Sequence, residues 1–120
     1  MSDNKTVLAR LESILQKIDD IEFIIARHGN ITKALNDREG QPALLMLLEA
    51  IAEQIRKIEE KNNRKDIILA LGEQTVKGIY ATKNFIAHDY DGIDLGFVES
   101  GLRELASIKN ICLSILEKEN

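Results

Sequence analysis

Apolar residues in the first quarter of the chain fall into a strict rhythm. Val7, Leu11, Ile14, Ile18, Ile21 and Ile25 alternate spacings of four and three, and Leu8, Leu15 and Ile24 widen the same stripe. That period places one apolar face along a single long helix, predicted from Asn4 to His28. Ser2 or Asp3 can cap its start, and Gly29 supplies the left-handed conformation that ends helices. Ile31 to Asn36 predicts one short helical turn beginning near Thr32, and Asp37-Arg38-Glu39-Gly40 predicts a loop. Pro42 then suits the first turn of a second long helix. Leu44, Leu45, Leu47, Leu48, Ile51, Ile55 and Ile58 carry its broad apolar face to about Glu60, and Lys61-Asn62-Asn63 breaks the pattern.

Arg64 to Tyr90 reads as a third helical region interrupted at Gly72, with a short helix before it and a longer one from about Glu73 to Asp89. Asp94 is placed to cap a last helix whose buried side is marked by Val98, Leu102, Leu105, Ile108, Cys112 and Ile115. Gly96 and Gly101 predict bent or loose first turns in that helix. β-Branched residues recur at helical spacing, and no period-two run bounded by hairpin turns predicts a strand. The expected fold class is all-α: an antiparallel up-down four-helix bundle with one or two short extra helices. The apolar faces of the second and last helices are wide for one small bundle, which predicts a homodimer. Met46 and Cys112, at helical spacing, are expected in the core.

Length changes this picture little. The 120 residues suit one domain over 1–120, and a single proline leaves no Pro-rich linker to divide them. The polar start Met1-Ser2-Asp3-Asn4-Lys5 lacks a secretory pattern, and no apolar run approaches the roughly 18 residues needed to span a bilayer. Cys112 is the only cysteine, so no internal disulfide can form. These features predict a cytoplasmic protein without membrane contact.

The formal net charge of −4 argues against binding nucleic acid through one large basic surface. Locally the balance reverses. Arg56, Lys57, Lys61, Arg64 and Lys65 face only Glu59 and Glu60 between positions 56 and 65, five minus two giving +3. Such a run is either a solvated helix end or a place where RNA phosphates make contact. With aromatics at 4% and no tryptophan, a base-stacking platform is not expected.

Most reaction classes lack their residues. No Gly-rich loop precedes Lys-Ser or Lys-Thr, and no serine occupies a nucleophile elbow. The two histidines, His28 and His88, are sixty residues apart and the cysteine is alone, so neither a metal site nor a cofactor is expected. His28, beside Gly29, reads as a cation-capable residue at a helix end. Asp19-Asp20 and Glu59-Glu60 read as solvated helix surface. One segment remains, Lys83-Asn84-Phe85-Ile86-Ala87-His88-Asp89-Tyr90. On a helix Asn84 and His88 share a face, and Tyr80, four before Asn84, extends the strip. Lys83 lies about 140° round from His88 at 100° per residue. Spacing alone leaves two readings open, a capping or core-edge histidine and a reactive one.

The segment Gly78 to Asp94, GIYATKNFIAHDYDGID, resembles the signature of HepT-like proteins within the HEPN superfamily of ribonucleases. That signature is Arg, four residues, His, one residue, Tyr, usually with Asn after the Arg. Asn84, His88 and Tyr90 match it, as do Asp89, Gly92 and Asp94 around them. Ile51-Ala52-Glu53-Gln54 resembles the family's Ile-Gly-Glu-Ala segment, with Ala52 for the glycine. Lys83 departs from the pattern: it keeps the positive charge of the usual arginine but not its planar fork.

The resemblance implies a metal-independent endoribonuclease toxin of a type VII-like toxin–antitoxin pair. The RNA 2′-hydroxyl would attack the adjacent phosphate, with His88 as acid and base, Lys83 stabilising the added charge and Asn84 orienting. It further implies a dimer with the site at its interface, and a minimal nucleotidyltransferase antitoxin, MntA, that places AMP on Tyr90. From the residues alone, Tyr90 can equally anchor a helix end, its ring packed and its hydroxyl wet. The alternative function is a non-catalytic HEPN module that binds a nucleotidyltransferase partner or a nucleotide.

Overall fold

The stripe from Val7 to Ile21 forms the inner face of helix α1, Ser2–His28. A computed structural model describes residues 2–88 and 94–119, and within them all side chains except those of residues 2–4, 85, 87 and 88. At 1.5 Å per residue the 27 residues of α1 span about 40 Å, and they set the long axis of a body measuring 43 × 28 × 21 Å. Six further helices follow among the described residues: α2 Ile31–Leu35, α3 Gly40–Glu60, α4 Lys65–Leu71, α5 Glu73–His88, α6 Leu95–Arg103 and α7 Leu105–Glu119. The described residues contain no strand. No helix among them is long and apolar enough to cross a membrane.

Packing follows the apolar periods. Leu11, Ile14, Ile18 and Ile21 of α1 and Leu44, Leu45, Leu48, Ile51, Ile55 and Ile58 of α3 are fully buried. α1 packs along α3 and α7, and α3 also packs against α5 and α4. Each such side chain contributes about 1.5–3 kcal/mol by leaving water, so the two longest helices hold the body together. Ile79 and Ile86 of α5 and Val98, Leu102, Leu105 and Ile108 of α6 and α7 complete the core. Cys112 is buried as expected, and burial pushes its thiol up to about 12, leaving it unreactive.

Turns lie where the glycines and short polar residues predict them. Gly29 and Gly72 each adopt φ +98° and end α1 and α4, a conformation that costs glycine nothing. Asn63 takes φ +54° in the break between α3 and α4, which asparagine tolerates better than most residues. The Asn30 side chain caps α2 through Lys33 N at 2.8 Å. Asp94 caps α6, accepting from Gly96 N at 2.9 Å and Phe97 N at 3.3 Å.

Three expectations need correction. Gly40 belongs to the first turn of α3 rather than to the preceding loop. Met46 is 70% exposed, not in the core: it points away from the face that Leu44, Leu45 and Leu48 turn inward. The last helix is broken at Glu104 rather than loosened at its start, giving α6 and α7. His28 stands in the last turn of α1, as expected, and makes two further contacts. Its Nδ1 donates to the Ile24 carbonyl at 2.8 Å, and its Nε2 lies 3.1 Å from the Asp37 carboxylate across the α2 turn. Asp37 Oδ2 also accepts from Glu39 N and Gly40 N, both at 2.9 Å. Those two backbone bonds, Gly40 first, hold the Asp37 carboxyl below its ordinary range.

Gly40 is required by close approach. A Cβ there would stand 2.5 Å from the Ala34 backbone oxygen, which has no room to yield. Gly40→Ala is therefore expected to cost about 1–3 kcal/mol, seen as a lower midpoint in thermal unfolding. Gly78→Ala, whose Cβ meets nothing within 4 Å on α5, is expected to stabilise by about 0.5–1 kcal/mol. Equal midpoints for the two variants would refute this account of the α2–α3 junction.

Candidate active site on helices 3 and 5

Two helical strips meet where α3 crosses α5. Ala52, Arg56 and Glu60 recur every four residues on α3, and Tyr80, Lys83 and Asn84 recur at three and four on α5, so each set occupies one face of its helix. Together they line a cavity of about 200 Å³. Ala52 is buried at its floor, Lys83 is half-buried and Asn84 is exposed. His88, the last residue of α5, follows Asn84 by one helical turn, which places its backbone just beyond this cleft. Its side chain is not among those described, and Asp89, Tyr90 and Gly92 lie outside the described residues.

Glu53 ties the two strips together. Its Oε1 accepts from Arg56 Nε at 3.0 Å and also from Arg56 Nη2, while its Oε2 lies 3.8 Å from Lys83 Nζ. Arg56 Nη1 donates to Glu60 Oε1 at 3.3 Å. The Arg56 hydrogen bonds are the main reason the Glu53 carboxyl sits below its ordinary value; the charges of Arg56, Lys83 and Lys57 push the same way. Arg56 is raised in turn, chiefly by its bond to Glu53. The cleft thus brings together two basic side chains, Arg56 and Lys83, and two acidic ones, Glu53 and Glu60.

Tyr80 completes the wall. Its hydroxyl donates to Glu59 Oε1 at 3.0 Å. Burial, then this bond, pushes the phenol well above its usual value. It therefore acts as a fixed donor and not as an acid or a nucleophile near neutral pH. Glu60 is exposed, as the sequence suggested, and Glu59 is half-buried; they accept from Arg56 and Tyr80 respectively. The spacing of Glu53, Arg56 and Glu60, three and then four residues, is the sequence signal that an ion-pair ladder was available.

The five basic residues of the 56–65 run do not act together. Of them only Arg56 lines the cleft. Arg64 grips Asp66 through two bonds of 2.9 Å, Nε to Oδ1 and Nη2 to Oδ2. Lys57 is half-buried and adds charge near Glu53, whereas Lys61 and Lys65 are exposed away from the cavity. The excess of positive charge read from the sequence is largely offset by Glu53 and Asp66, which lie outside the run and pair with Arg56 and Arg64. Among the described residues no group of three or more His, Cys, Asp or Glu side chains is arranged to hold a metal ion.

An all-helical body with a lysine, an asparagine and a histidine set along the end of one helix, beside a charged cleft, defines a class of helical domains. The chain matches the family described as ribonuclease HepT-like over residues 11–115, and it belongs to that family. No curated protein and no solved structure matches it.

Proposed function

We propose that this protein is a metal-independent endoribonuclease and the toxin of a type VII-like toxin–antitoxin pair. The observation that carries the reading is that Lys83 and Asn84 line one cleft a single turn before His88, in a chain of the HepT-like ribonuclease family. RNA brings its own nucleophile. His88 takes the 2′-hydroxyl proton as that oxygen attacks the adjacent phosphorus, the P–O5′ bond breaks, and the 5′-oxygen leaves as a hydroxyl after gaining a proton. The products are a 2′,3′-cyclic phosphate and a 5′-hydroxyl. Lys83 offsets the charge that builds on the five-coordinate phosphorus, and Asn84 orients the phosphate or the imidazole.

Two copies are part of this reading. One histidine must otherwise serve both proton transfers, and a homodimer brings a second His88 near the first. Phe23 and Met46, 63% and 70% exposed, leave apolar surface that a second copy can cover. Each copy is read as a single domain built on an up-down four-helix core. Tyr90 is the acceptor of AMP from a minimal nucleotidyltransferase antitoxin; AMP beside His88 fills the groove and repels RNA by its charge. The setting is the cytoplasm.

The test is cleavage of total tRNA by the purified protein in excess EDTA, beside His88→Ala prepared identically. Cleavage that leaves cyclic-phosphate ends and vanishes in the variant supports the reading. A second reading, a non-catalytic module that binds a nucleotidyltransferase or a nucleotide, is favoured by lysine at position 83. Absence of cleavage from a folded protein shown by mass to carry no AMP on Tyr90 would select it.

A further inference from the structure

The lysine at position 83 leaves α5 without the bidentate donor that suits a phosphate, and Arg56 of α3 brings a guanidinium to the same cleft. We infer that Arg56 is a second phosphodiester-binding residue of this site, supplying from α3 the planar fork that position 83 lacks, with Glu53 as the positioning residue that aims Arg56 and Lys83 at one ligand. This rests on the ribonuclease reading above and names a residue through which the substrate is held.

Three observations carry it. Arg56 and Lys83 come from different helices yet line the same cavity, and the two oxygens of one carboxylate reach both of them. A shared carboxylate ties both cations to one group on the cleft wall, an arrangement in which both can address one phosphate. Second, Arg56 has donors to spare. It gives Nε–H and one Nη2–H to Glu53 and one Nη1–H to Glu60. Of its five N–H groups, one on each terminal nitrogen has no partner among the described residues. Two such donors match two oxygens of a phosphate group. Third, the side chain is 34% exposed and its Glu60 partner 58% exposed, with a contact of 3.3 Å. An exposed pair of this kind contributes little, so an incoming phosphate can displace Glu60 while Glu53 keeps the guanidinium in place. Ala52, one turn before Arg56, adds only a methyl group to the cleft and leaves the space open.

The inference separates Arg56 from the other four basic residues of the run. Lys57, Lys61, Arg64 and Lys65 do not line this cavity, and their loss reduces only the general attraction for polyanions.

The test uses the full chain and a short RNA with 2′-O-methyl groups, which binds but cannot be cut, alongside kcat/KM on the same RNA with free 2′-hydroxyls. Arg56→Ala is expected to weaken binding of the uncleavable RNA by about 10- to 100-fold and to flatten its salt dependence by about 0.7 in slope. Lys65→Ala is expected to change affinity by less than threefold. The decisive variant is Arg56→Ala combined with Lys83→Arg, which moves the fork to the other helix and is expected to recover most of the lost affinity. Arg56→Gln, which keeps a donor to Glu53, replaces the alanine variant should the latter fail to fold. Affinity within twofold of the parent in Arg56→Ala or Arg56→Gln, or no recovery with Lys83→Arg, overturns the role of Arg56. Should that happen while His88→Ala still abolishes cleavage, the ribonuclease reading stands alone. A parent protein that neither binds nor cuts RNA removes both.

Discussion

His88→Ala is expected to lower RNA cleavage by about 10²- to 10⁴-fold, the usual range for removing a general acid–base group. An imidazole whose ordinary pKa is near 6.5 accepts a proton and returns one at neutral pH, and few other side chains do both there. The loss should fall on the chemical step, so affinity for the uncleavable 2′-O-methyl RNA stays within a few-fold. The parent's kcat should vary with pH through the histidine range, and the residual activity of the variant should not. Stability provides the control. His88 is the last residue of α5, where a protonated histidine interacts favourably with the helix end by about 0.3–1 kcal/mol. Thermal unfolding of the variant should therefore shift by no more than that. Parent-level cleavage by a folded His88→Ala protein would sink the mechanism, and a loss of several kcal/mol would mark the residue as structural.

Much of the helical layout was legible because burial on one face writes itself into the spacing of apolar residues. The α1 stripe, the ends at Gly29 and Gly72, and the Asp94 cap need only local geometry, and the structure has them where the spacing predicts. The break at Glu104 was not legible. Val98, Leu102, Leu105 and Ile108 keep helical spacing straight through it, so periodicity carries no trace of the interruption. Gly101 reads differently for a similar reason. Sequence suggests a loose turn, whereas the structure shows α6 lying so close to α5 that a Cβ there would meet Thr82 Oγ1 at 3.1 Å.

The same limit applies to the cleft. Tyr80, Asn84 and His88 could be placed on one helix face from spacing, with Lys83 about 140° round from His88. Glu53, Glu59 and Arg56 could not be brought to them, because that depends on how α3 packs against α5, at separations of about 20 to 30 residues. The 56–65 run misleads for this reason: its partners Glu53 and Asp66 lie just beyond its ends, and a count over the run misses both. The His28–Asp37 contact joins the two sides of a turn and is equally invisible to helical period.

Lys83→Ala should lower kcat by about 10²- to 10³-fold, the range seen when a donor to a developing oxyanion is removed. Lys83 Nζ stands 3.8 Å from Glu53 Oε2 and the side chain is 33% exposed, so the pair is loose and the ammonium is free to swing onto a phosphate. The five-coordinate phosphorus carries more negative charge than the ground-state phosphodiester, so the ammonium stabilises the transition state more than the bound substrate. The loss should therefore appear in kcat more than in KM. Removing the lysine also leaves Glu53 with one cation fewer, and its carboxylate then repels the phosphate. Lys83→Met keeps the apolar stem but not the charge, and should be as inactive as the alanine variant. Lys83→Arg provides the converse. It restores the planar fork beside Asn84 and is expected to cleave at least as fast as the parent, by up to about tenfold more, because paired N–H donors grip phosphate oxygens more firmly than a point charge. An arginine variant slower than the parent would show that the cleft is shaped around lysine. Unchanged kcat in Lys83→Ala would mean that Arg56 alone neutralises the reacting phosphate, and the chemistry would then belong to α3 as much as to α5.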